Sequence, residues 1–563
     1  MKVVIVGGVA GGATAAARIR RLDEHAEITV FERSGYISYA NCGLPYYIGD
    51  VITDPEELTL QTPESFFQRF RIDMKIHHEV IAIHPDRKTV SVKNLENGKI
   101  FEENYDKLIL SPGAKPAQPK LPGAGIDKLF TLRTVEDTFR IKEYINKNHP
   151  KTAILAGGGF IGLELAENLR ELGLDVTIVQ RPKQLMNPFD LDMAPMIHNE
   201  MRKHGIKLVL GYTVEGFKEK DDGVEVLLKD NPSLQADMVV LAIGVTPDTV
   251  LAKEAGLELG IKESIVVNDR METSVPDIYA AGDAVQVKHY VTGNDALISL
   301  AGPANKQGRI IADNICGGDS RYLGSQGSSV IKVFDMTAAT TGINETNAKK
   351  SGLEVDTVIL SPMSHAGYYP GGKVMTMKVV FEKESYRLLG AQIIGYEGVD
   401  KRIDVLATAI HAGLNATQLK DLDLAYAPPY SSAKDPVNMA GFMIDNIAKG
   451  TLKQWHLEDM DKISKDKDVV LIDVRTVCEF SRGHIDGFKN IPVDELRERI
   501  SEIEKGKPVY LICQSGLRSY IASRILEGNG YETYNFSGGF RFYDAVVNDR
   551  ALIERAYACG MDY

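Results

Sequence analysis

The sequence predicts an α/β protein of several domains, and three observations support this fold class. The chain has 563 residues, enough for three or four domains of ordinary size, of which 44% are hydrophobic and 25% charged. An apolar strand followed by a glycine-rich turn and a helix occurs twice, near residues 3–19 and 153–172. A final region from about residue 461 alternates strands and helices on a smaller scale.

Overall composition limits the classes of partner. The formal net charge of −12 disfavours nonspecific binding to nucleic acid or to an anionic membrane. The N-terminal segment MKVVIVGGVAGG is too short and glycine-rich for a signal peptide, and no run approaches the roughly 20 apolar residues of a membrane span. Five widely spaced cysteines favour a reducing compartment. We therefore expect a cytoplasmic protein with no nucleic-acid or membrane partner and no metal site.

Both glycine-rich turns have the setting of a Rossmann-like dinucleotide-binding domain, since each follows an apolar strand and opens a helix. The second turn fits G-x-G-x-x-G at Gly157, Gly159 and Gly162. The first, GGVAGG at residues 7–12, departs from the pattern because Val9 stands at the middle glycine position. Such a turn lets a pyrophosphate approach the helix N-terminus, where free N–H groups and the dipole stabilise its charge.

The residues that end the second strand of each unit differ. In the first unit this residue is Glu32, at the end of the second strand, where a carboxylate accepts hydrogen bonds from ribose hydroxyls. Gln180 has that place in the second unit and is followed by Arg181 and Lys183. A neutral amide near cations is compatible with a 2′-phosphate, but the two cations fit a solvated strand end equally well. NADH and NADPH both remain open.

The rest of the chain is predicted to contain antiparallel ribbons, an α+β domain and the final α/β region. Segments KTVSVKN and GVEVLLK predict ribbons. Residues 322–445 have the pattern of a separate α+β domain, and the charged segment after residue 449 is typical of a linker.

Cys42 is a lone cysteine in the segment SYANCGLPYY. We expect it to open a helix, whose N–H groups and dipole lower a thiol pKa; the alternative is a small buried hydrophobic residue. Positions 37 and 47 hold Ile37 and Tyr47, so no CxxxxC disulfide can form. The oxidised form is then a mixed disulfide with an external thiol or a sulfenic acid.

Cys513 opens the segment CQSGLR after the strand VYLI. Such a loop can direct its N–H groups at one anionic sulfur, and Arg518 adds positive charge, which together favour a persulfide on Cys513. Asp473, Arg475 and His484 are expected to be structural. Three other cysteines show no supporting pattern: Cys316, Cys478 and Cys559.

Several motifs in order resemble those of a known family. They are GGVAGGA, SYANCGLPYYIGD, LILSPGA, GGGFIGLE, LAIGVTPDT and TSVPDIYAAGDA. Residues 1–445 resemble the flavoprotein pyridine nucleotide–disulfide oxidoreductases, in particular the single-cysteine coenzyme A–disulfide reductases. The C-terminal motifs IDVR, GHIDG, CQSGLRS and GGF resemble a rhodanese. The combination resembles reductase–rhodanese fusions that include NADH-dependent persulfide reductases.

The resemblance implies four domains and three cofactors or ligands. It implies an FAD-binding domain at 1–112 and 243–321, an NAD(P)H-binding domain at 113–242, a dimerisation domain at 322–445, a linker at 446–460 and a rhodanese domain at 461–563. The implied FAD residues are Gly7, Gly8, Gly11, Glu32, Arg33, Ser38, Asn41, Ala114 and Asp283. The implied NAD(P)H residues are Gly157, Gly159, Phe160, Gly162 and Glu164, with Phe160 covering the flavin. Coenzyme A is implied as substrate or as a bound group.

Further residues are implied around Cys42. The family's coenzyme A reductases supply two tyrosines from the partner subunit, which correspond to Tyr368 and Tyr426, with Tyr369 and Tyr430 adjacent. A phenol can donate a proton to a departing thiolate. Implied coenzyme A contacts are Thr14, Arg18, Arg21, Arg71 and Lys434. The family's lysine before Arg71 is here Phe70, which puts the adenosine-phosphate contacts in doubt.

These expectations together predict a homodimeric FAD enzyme. NAD(P)H would reduce persulfide, polysulfide or coenzyme A disulfide sulfur through Cys42, and Cys513 would deliver sulfane sulfur. An NAD(P)H oxidase or peroxidase with a Cys42 sulfenate is the alternative, although the peroxidase branch has a histidine where this chain has Ala10. A redox-sensing or sulfur-carrier protein is a third possibility.

Overall fold

The computed structural model describes residues 1–117, 121–221 and 223–558, and Cys559 lies outside this range. The chain divides into two compact units. One unit consists of residues 1–183 and 205–327, and the other of residues 184–204 and those from 328 onward. Each unit has its own sheets and its own core.

The first unit opens with the βαβ unit predicted at the N-terminus. Its elements up to residue 180 are β1 (Lys2–Val6), α1 (Ala10–Leu22), β2 (Glu27–Phe31), α2 (Leu44–Ile48), α3 (Pro63–Phe70), β3 (Asp73–Lys75), β4 (His78–His84), β5 (Thr89–Asn94), β6 (Ile100–Asn104), β7 (Lys107–Leu110), β8 (Ala114–Pro116), β9 (Leu129–Thr131), α4 (Val135–Asn148), β10 (Thr152–Ala156), α5 (Phe160–Glu171) and β11 (Asp175–Gln180). A short 3₁₀ turn, Asn41–Gly43, leads directly into α2.

After β11 the chain leaves the first unit for 21 residues, 184–204, which carry α6 (Ala194–Lys203) and belong to the second unit. It returns with β12 (Lys207–Leu210), β13 (Val214–Lys220), β14 (Gly223–Leu228), β15 (Asn231–Ala236), β16 (Met238–Leu241), β17 (Val245–Pro247), α7 (Val250–Glu254), β18 (Ile265–Val266), β19 (Ile278–Ala280), β20 (Val285–Lys288), β21 (Asp295–Ala296) and α8 (Ala301–Ile315). The boundaries expected from the sequence assign residues 113–242 to one domain, and that assignment stays a prediction.

Two parallel sheets organise the first unit. The strand orders are β19-β7-β1-β2-β3 and β12-β11-β10-β16-β9. The central strands KVVIV and TAILA are buried almost throughout, as expected for parallel strands covered on both faces. Ribbons β4-β5-β6 and β13-β14-β15 are antiparallel, as predicted. Helices α1 and α8 approach closely at Gly308, where a Cβ would lie 2.4 Å from the carbonyl oxygen of Gly11.

The second unit continues from residue 328 with the α+β region and the C-terminal region. Its elements are β22 (Ser329–Val333), β23 (Met336–Gly342), α9 (Glu345–Lys350), β24 (Val355–Leu360), β25 (Met375–Glu382), β26 (Leu388–Gly395), α10 (Val399–His411), α11 (Pro436–Ala448), β27 (Gln454–Trp455), α12 (Met460–Ile463), β28 (Val470–Asp473), α13 (Val477–Ser481), β29 (Lys489–Asn490), β30 (Val509–Ile512), α14 (Leu517–Gly528), β31 (Thr533–Phe536) and α15 (Gly539–Ala558).

The second unit contains one antiparallel and one parallel sheet. Strands β22-β23-β26-β25-β24 are antiparallel, and β27-β31-β30-β28-β29 are parallel. Residues 446–460, expected as a linker, carry the end of α11 and the short strand β27. Trp455 in β27 is 2% exposed and donates from Nε1–H to the Leu511 carbonyl, so this segment is part of the C-terminal core.

Helix α6 is anchored in the second unit by buried polar contacts. His198 Nδ1 lies 2.8 Å from Asp549 Oδ2, and Arg202 reaches the other oxygen of Asp549 at 2.5 Å. The backbone N–H of Leu185 donates to His198 Nε2 at 3.0 Å. These contacts explain why residues 184–204 pack with this unit and not with their neighbours in sequence.

Candidate active sites

The first glycine-rich turn forms a tight cradle at the N-terminus of α1. Gly7 has φ +94°, and a Cβ there would lie 2.1 Å from the Ser111 carbonyl oxygen. A Cβ at Gly12 would lie 1.9 Å from the Gly7 carbonyl oxygen. Gly12 is therefore the last glycine of this turn, and it was absent from the residues implied for FAD. Side chains at these positions would close the approach to the helix N-terminus.

The carboxylate of Glu32 is held at this turn. Its two oxygens accept from the backbone N–H groups of Gly8 and Ser34, each at 2.9 Å. Ser38 follows in a left-handed conformation with φ 44° and donates its N–H to the Gly8 carbonyl at 2.9 Å. Arg33, one residue beyond Glu32, is paired with Asp248 at 2.9 Å.

Asp283 and Ala114 are joined by a residue that sequence reasoning missed. Arg133 Nη2 lies 2.6 Å from Asp283 Oδ2, and Arg133 Nε donates to the Ala114 carbonyl at 3.2 Å. Gly282, which precedes Asp283, donates its N–H to Gln307 at 2.7 Å. No sequence motif indicated Arg133, since it follows an ordinary short strand.

The second glycine-rich turn repeats the geometry of the first. Gly157 has φ +121°, and a Cβ at Gly162 would lie 2.1 Å from the Gly157 carbonyl oxygen. A Cβ at Gly159 would meet nothing within 4 Å, so the backbone there is open to a ligand. Phe160, the first residue of α5, is half-buried. Both turns fit a dinucleotide pyrophosphate, because each keeps Cβ atoms away from a helix N-terminus.

Cys42 lies in the 3₁₀ turn that leads into α2 and is exposed to solvent. The expected lowering of the Cys42 thiol pKa is wrong. The pKa of the thiol is raised, first by protein atoms that withdraw water from the sulfur and then by the carboxylate of Glu164, with a smaller opposing effect of Arg133. The turn is a single 3₁₀ turn, too short to supply much positive potential.

Glu164, predicted in the NAD(P)H site, is a neighbour of Cys42. Its carboxylate lies 3.5 Å from the Tyr46 hydroxyl, and Tyr46 stands one helical turn after Cys42. Burial raises the pKa of Glu164 to about 7 and the pKa of Tyr46 to about 12. Three titratable groups therefore meet where α2 packs against α5.

The structure brings two of the predicted coenzyme A residues together between α1 and α8. Thr14 Oγ1 donates to Asn305 Oδ1 at 2.5 Å, and Arg18 Nε lies 2.8 Å from Asp313 Oδ1. Arg21 donates back to the Ala17 carbonyl at 2.9 Å. Arg71 ends α3 with φ 52°, and its guanidinium lies 5.3 Å from the Phe67 ring centre.

The two predicted tyrosines touch each other in the second unit. The hydroxyls of Tyr368 and Tyr426 are 2.6 Å apart, and both side chains are exposed. The hydrogen bond to Tyr368 is the main cause of a raised pKa for Tyr426. Tyr426 also lines a cavity of 530 Å³, whose wall includes His365, Lys401 and Tyr430. Lys434, the remaining predicted contact, is exposed in the same unit.

Cys513 directly follows β30 and is fully buried. Its sulfur accepts from the Gly516 N–H and the Ser519 hydroxyl, each at 3.1 Å. The predicted loop of donors is thus present, and Ser519 is an addition to it. The backbone N–H groups of Phe540 and Arg541 donate to the carbonyls of Cys513 and Gln514, and these hydrogen bonds anchor the loop.

Arg518 is bound by a carboxylate that sequence reasoning missed. Its two terminal nitrogens lie 2.7 and 2.6 Å from the two oxygens of Glu479, an ion pair that is the main reason for the low pKa of Glu479, about 2. The positive charge expected at Cys513 is therefore shared with Glu479. Arg475 and Asp473 form a buried pair at 2.7 Å, consistent with a structural role.

The family of the chain follows from comparison with known proteins. A family model described as pyridine nucleotide-disulphide oxidoreductase matches residues 1–308, more than half of the chain. The chain belongs to this family. A model for its dimerisation domain matches residues 328–436, and a model for the rhodanese-like domain matches residues 456–545. The predicted fold class and family are confirmed, and the protein is an oxidoreductase.

Individual relatives extend over most or all of the chain. Coenzyme A disulfide reductase of Staphylococcus aureus (strain JH9) is 38% identical over 442 residues, 78% of this chain and 99% of the relative. The structure of reduced Bacillus anthracis CoADR-RHD has a TM-score of 0.96 and 49% identity and covers 98% of both chains. The NAD-dependent persulfide reductase from A. fulgidus has a TM-score of 0.90 and 39% identity, covering 96% of this chain and 100% of its own.

Within the range that the structure describes, every helix is too short or too polar to cross a membrane.

Proposed function

We propose that the protein uses NAD(P)H and FAD to reduce persulfide, polysulfide or coenzyme A disulfide sulfur at Cys42, and that Cys513 delivers sulfane sulfur. The observation that carries this proposal is the presence of two differently built thiol sites in one chain of this family. Cys42 is exposed and has no cysteine five residues away, whereas Cys513 is buried in a loop of donors.

The two glycine cradles support the choice of cofactors. FAD would be held by Gly7, Gly8, Gly11, Glu32, Arg33, Ser38, Asn41, Ala114 and Asp283, and NAD(P)H by Gly157, Gly159, Phe160, Gly162 and Glu164. When bound, FAD supplies a two-electron carrier between the nicotinamide and sulfur.

Cys42 carries the proposed sulfur chemistry. Its thiolate attacks one sulfur of a disulfide or persulfide, forms a Cys42–S–S bond and expels the other sulfur as a thiolate or HS⁻. Two electrons then break the new bond, regenerate the Cys42 thiolate and release the second sulfur group. Tyr426, with Tyr368 bonded to its hydroxyl, is the proposed proton donor to a departing thiolate.

Cys513 carries the proposed sulfur delivery. Its thiolate attacks the outer sulfur of thiosulfate, gains a persulfide and releases sulfite, so that atoms and charge balance. The donors from Gly516 and Ser519 are placed to stabilise negative charge on Cys513 sulfur. Arg518 can contact an anionic sulfur donor such as thiosulfate, although its ion pair with Glu479 reduces the positive potential that it adds at the loop.

The proposal includes assembly, substrate recognition and location. A homodimer is supported by the match to a dimerisation domain and by the exposed tyrosines Tyr368 and Tyr426. Coenzyme A would contact Thr14, Arg18, Arg21, Arg71 and Lys434. We keep the proposed domain boundaries at 1–112 with 243–321, 113–242, 322–445 and 461–563, with the 446–460 segment between the last two. A reducing cytoplasm is consistent with the four free cysteines of the described range.

Mass spectrometry of the purified protein, followed by anaerobic turnover, tests the proposal. We expect bound FAD, and NAD(P)H oxidation that requires coenzyme A disulfide, polysulfide or a persulfide acceptor. Rapid oxygen consumption with NAD(P)H alone, and none of the anaerobic sulfur-dependent activity, would establish the oxidase alternative. Bound FAD with slow NAD(P)H consumption in every acceptor would identify a sensor or carrier.

A further inference from the structure

Arg402, in α10, is a buried arginine whose guanidinium joins the two segments that carry the tyrosine pair. The residue is 1% exposed. Its Nη2 donates to the carbonyl of Ser364 at 2.9 Å, in the first segment. The same nitrogen lies 3.0 Å from the hydroxyl of Ser431 and 3.4 Å from the carbonyl oxygen of Tyr430, in the second segment. The contacts of one nitrogen therefore hold the two segments together.

Asp435 fixes the orientation of this guanidinium. Its Oδ2 accepts from Arg402 Nε at 3.2 Å and from Nη2 at 3.0 Å. The same oxygen accepts from the Ser431 hydroxyl at 2.7 Å, while Oδ1 accepts from the Val437 N–H at the start of α11. Arg402 Nη1 also donates to the carbonyl of Gly398 at 3.1 Å. Because the planar fork is bound along several directions, it has one defined position.

A backbone turn connects the first anchor point to Tyr368. The N–H of Ala366 donates to the carbonyl of Ser431 at 3.0 Å, so the two segments meet again just after Ser364. The carbonyl of Ala366 accepts from the N–H of Tyr369 at 3.0 Å, and Tyr368 lies within the turn that this bond closes. Tyr368 therefore belongs to a short stretch of backbone that is fixed at its start.

A second turn connects the other anchor point to Tyr426. The N–H groups of Tyr430 and Ser431 both donate to the carbonyl of Ala427, at 2.9 and 3.1 Å. Ala427 directly follows Tyr426, and Arg402 lines the same 530 Å³ cavity as Tyr426. Both hydroxyls of the 2.6 Å pair are thus carried by turns that hydrogen bonds tie to one guanidinium.

We propose that Arg402 is a positioning residue, which holds the hydroxyls of Tyr368 and Tyr426 in the arrangement that delivers a proton. The guanidinium acts through the two backbone segments, and the proton passes from a phenol to the departing thiolate. The inference rests on the proposed function, because that thiolate is the leaving group of the proposed reaction. The arrangement of the two hydroxyls can nevertheless be measured without turnover.

Fluorine NMR of the holoenzyme labelled with fluorotyrosine tests the arrangement. In the wild type, Tyr368→Phe should lower the pKa of Tyr426, because the hydrogen bond to Tyr368 is the main cause of its raised value. Arg402→Lys keeps the charge and loses the planar fork. The Tyr426 titration should then already lie at the lower pH, and Tyr368→Phe should not move it further. Arg387→Lys, at an exposed arginine of the same unit, should titrate like the wild type.

Anaerobic kinetics with coenzyme A disulfide give a second measurement. We expect Arg402→Lys to lower kcat at least about tenfold, part of the loss expected for a displaced general acid, and to leave flavin reduction by NAD(P)H unchanged. The upper limb of the kcat–pH profile should move to lower pH with the Tyr426 titration. In a Tyr368→Phe/Tyr426→Phe background the same substitution should have little further effect, since the pair through which it acts is gone.

A second variant protects the test against a failure to fold. Arg402→Gln/Asp435→Asn removes both buried charges together, which avoids the unpaired charge that a single neutral substitution would leave. It should reproduce the effects of Arg402→Lys.

Three results would overturn the positioning role: no coupling between the tyrosines in the wild type, unchanged coupling in either variant, or an equal loss of kcat in the background that lacks both hydroxyls. If the variants lose the coupling as expected and the wild type reduces no sulfur acceptor, the proposed function fails while the positioning role stands.

Discussion

The phenolic oxygens of Tyr368 and Tyr426 lie 2.6 Å apart in the exposed part of the second unit. One of the two hydroxyls must donate to the other, so the pair has a single remaining phenolic proton to offer a substrate. Two tyrosines expected to act side by side therefore form one hydrogen-bonded proton donor.

Replacement of either tyrosine tests whether the pair acts as a unit. We expect Tyr426→Phe and Tyr368→Phe each to lower kcat with coenzyme A disulfide by about a hundredfold, the lower range for loss of a general acid. The double variant should lose little more than either single variant, measured by a double-mutant cycle. Tyr430→Phe alters an exposed neighbour and should retain activity. Independent, multiplicative losses would contradict a shared donor.

Cys42 is expected to be essential for electron transfer to sulfur and unnecessary for electron transfer from NAD(P)H. In Cys42→Ser, NAD(P)H should still bleach the flavin absorbance in a stopped-flow experiment, while turnover of disulfides falls to background. Cys316→Ser, a change at a half-buried cysteine, should behave like the wild type. Full disulfide reduction by Cys42→Ser would refute the assignment.

Cys513 is expected to serve sulfur transfer alone. Cys513→Ser should keep the reduction of small soluble disulfides and lose transfer of sulfur from thiosulfate to an acceptor thiol, because the loop at Gly516 and Ser519 no longer holds a sulfur nucleophile. The exposed Cys478 supplies the matched control, Cys478→Ser. Equal loss of both activities in Cys513→Ser would contradict the separate roles proposed for Cys42 and Cys513.

The carboxylate of Glu164 should contribute to the raised pKa of the Cys42 thiol. Burial keeps the pKa of Glu164 near 7, and above that pH its negative charge raises the pKa of Cys42. Glu164→Gln removes this charge, so the pKa of Cys42 should fall, as read from the pH dependence of iodoacetamide alkylation. Glu171→Gln, at the exposed end of α5, should leave the alkylation profile in place. An unchanged profile in Glu164→Gln would mean that the carboxylate has no influence on the thiol.

His198 should make the second unit sensitive to mild acid. Burial lowers the pKa of His198, and its Nε2 already accepts from Leu185, so the unfolded chain binds a proton before the folded one does. Stability is therefore lost as the pH falls below about 6.5, the ordinary histidine pKa. Asp549, whose pKa is lowered, loses its contribution only at more acidic pH.

Thermal unfolding between pH 8 and 5 measures this effect. His198→Gln retains one acceptor and one donor but does not titrate, so its melting temperature should vary less with pH than that of the wild type. His25→Gln, at an exposed histidine, should reproduce the wild-type dependence. Parallel profiles for all three proteins would rule out His198 as the titrating group.

The sequence was sufficient for the features that depend on local pattern. Apolar strands followed by glycine turns predicted both parallel sheets, and the CQSGLR segment predicted the donor loop at Cys513. The excursion of residues 184–204 was not predictable, because it depends on the pairing of His198 with Asp549, 351 positions later. Arg133 and Glu479 were missed for the same reason, since each acts on a residue distant in sequence.

Cys42 shows where local reasoning gave the wrong sign. A residue at the start of a helix was expected to have a lowered thiol pKa, but the structure places a carboxylate from α5 beside it. Withdrawal of water from the sulfur is the largest cause of the raised pKa, and the charge of Glu164 adds to it. No motif encodes the packing around the thiol that produces both effects.

Trp455 is the only tryptophan of the chain, and it shares a buried cluster with Ile512, the last residue of β30, which directly precedes Cys513. With excitation at a wavelength that tyrosine does not absorb, the indole emission therefore reports on the C-terminal domain. The red shift that accompanies exposure of a buried indole would follow the unfolding of that domain in denaturant, without a contribution from the 23 tyrosines of the chain.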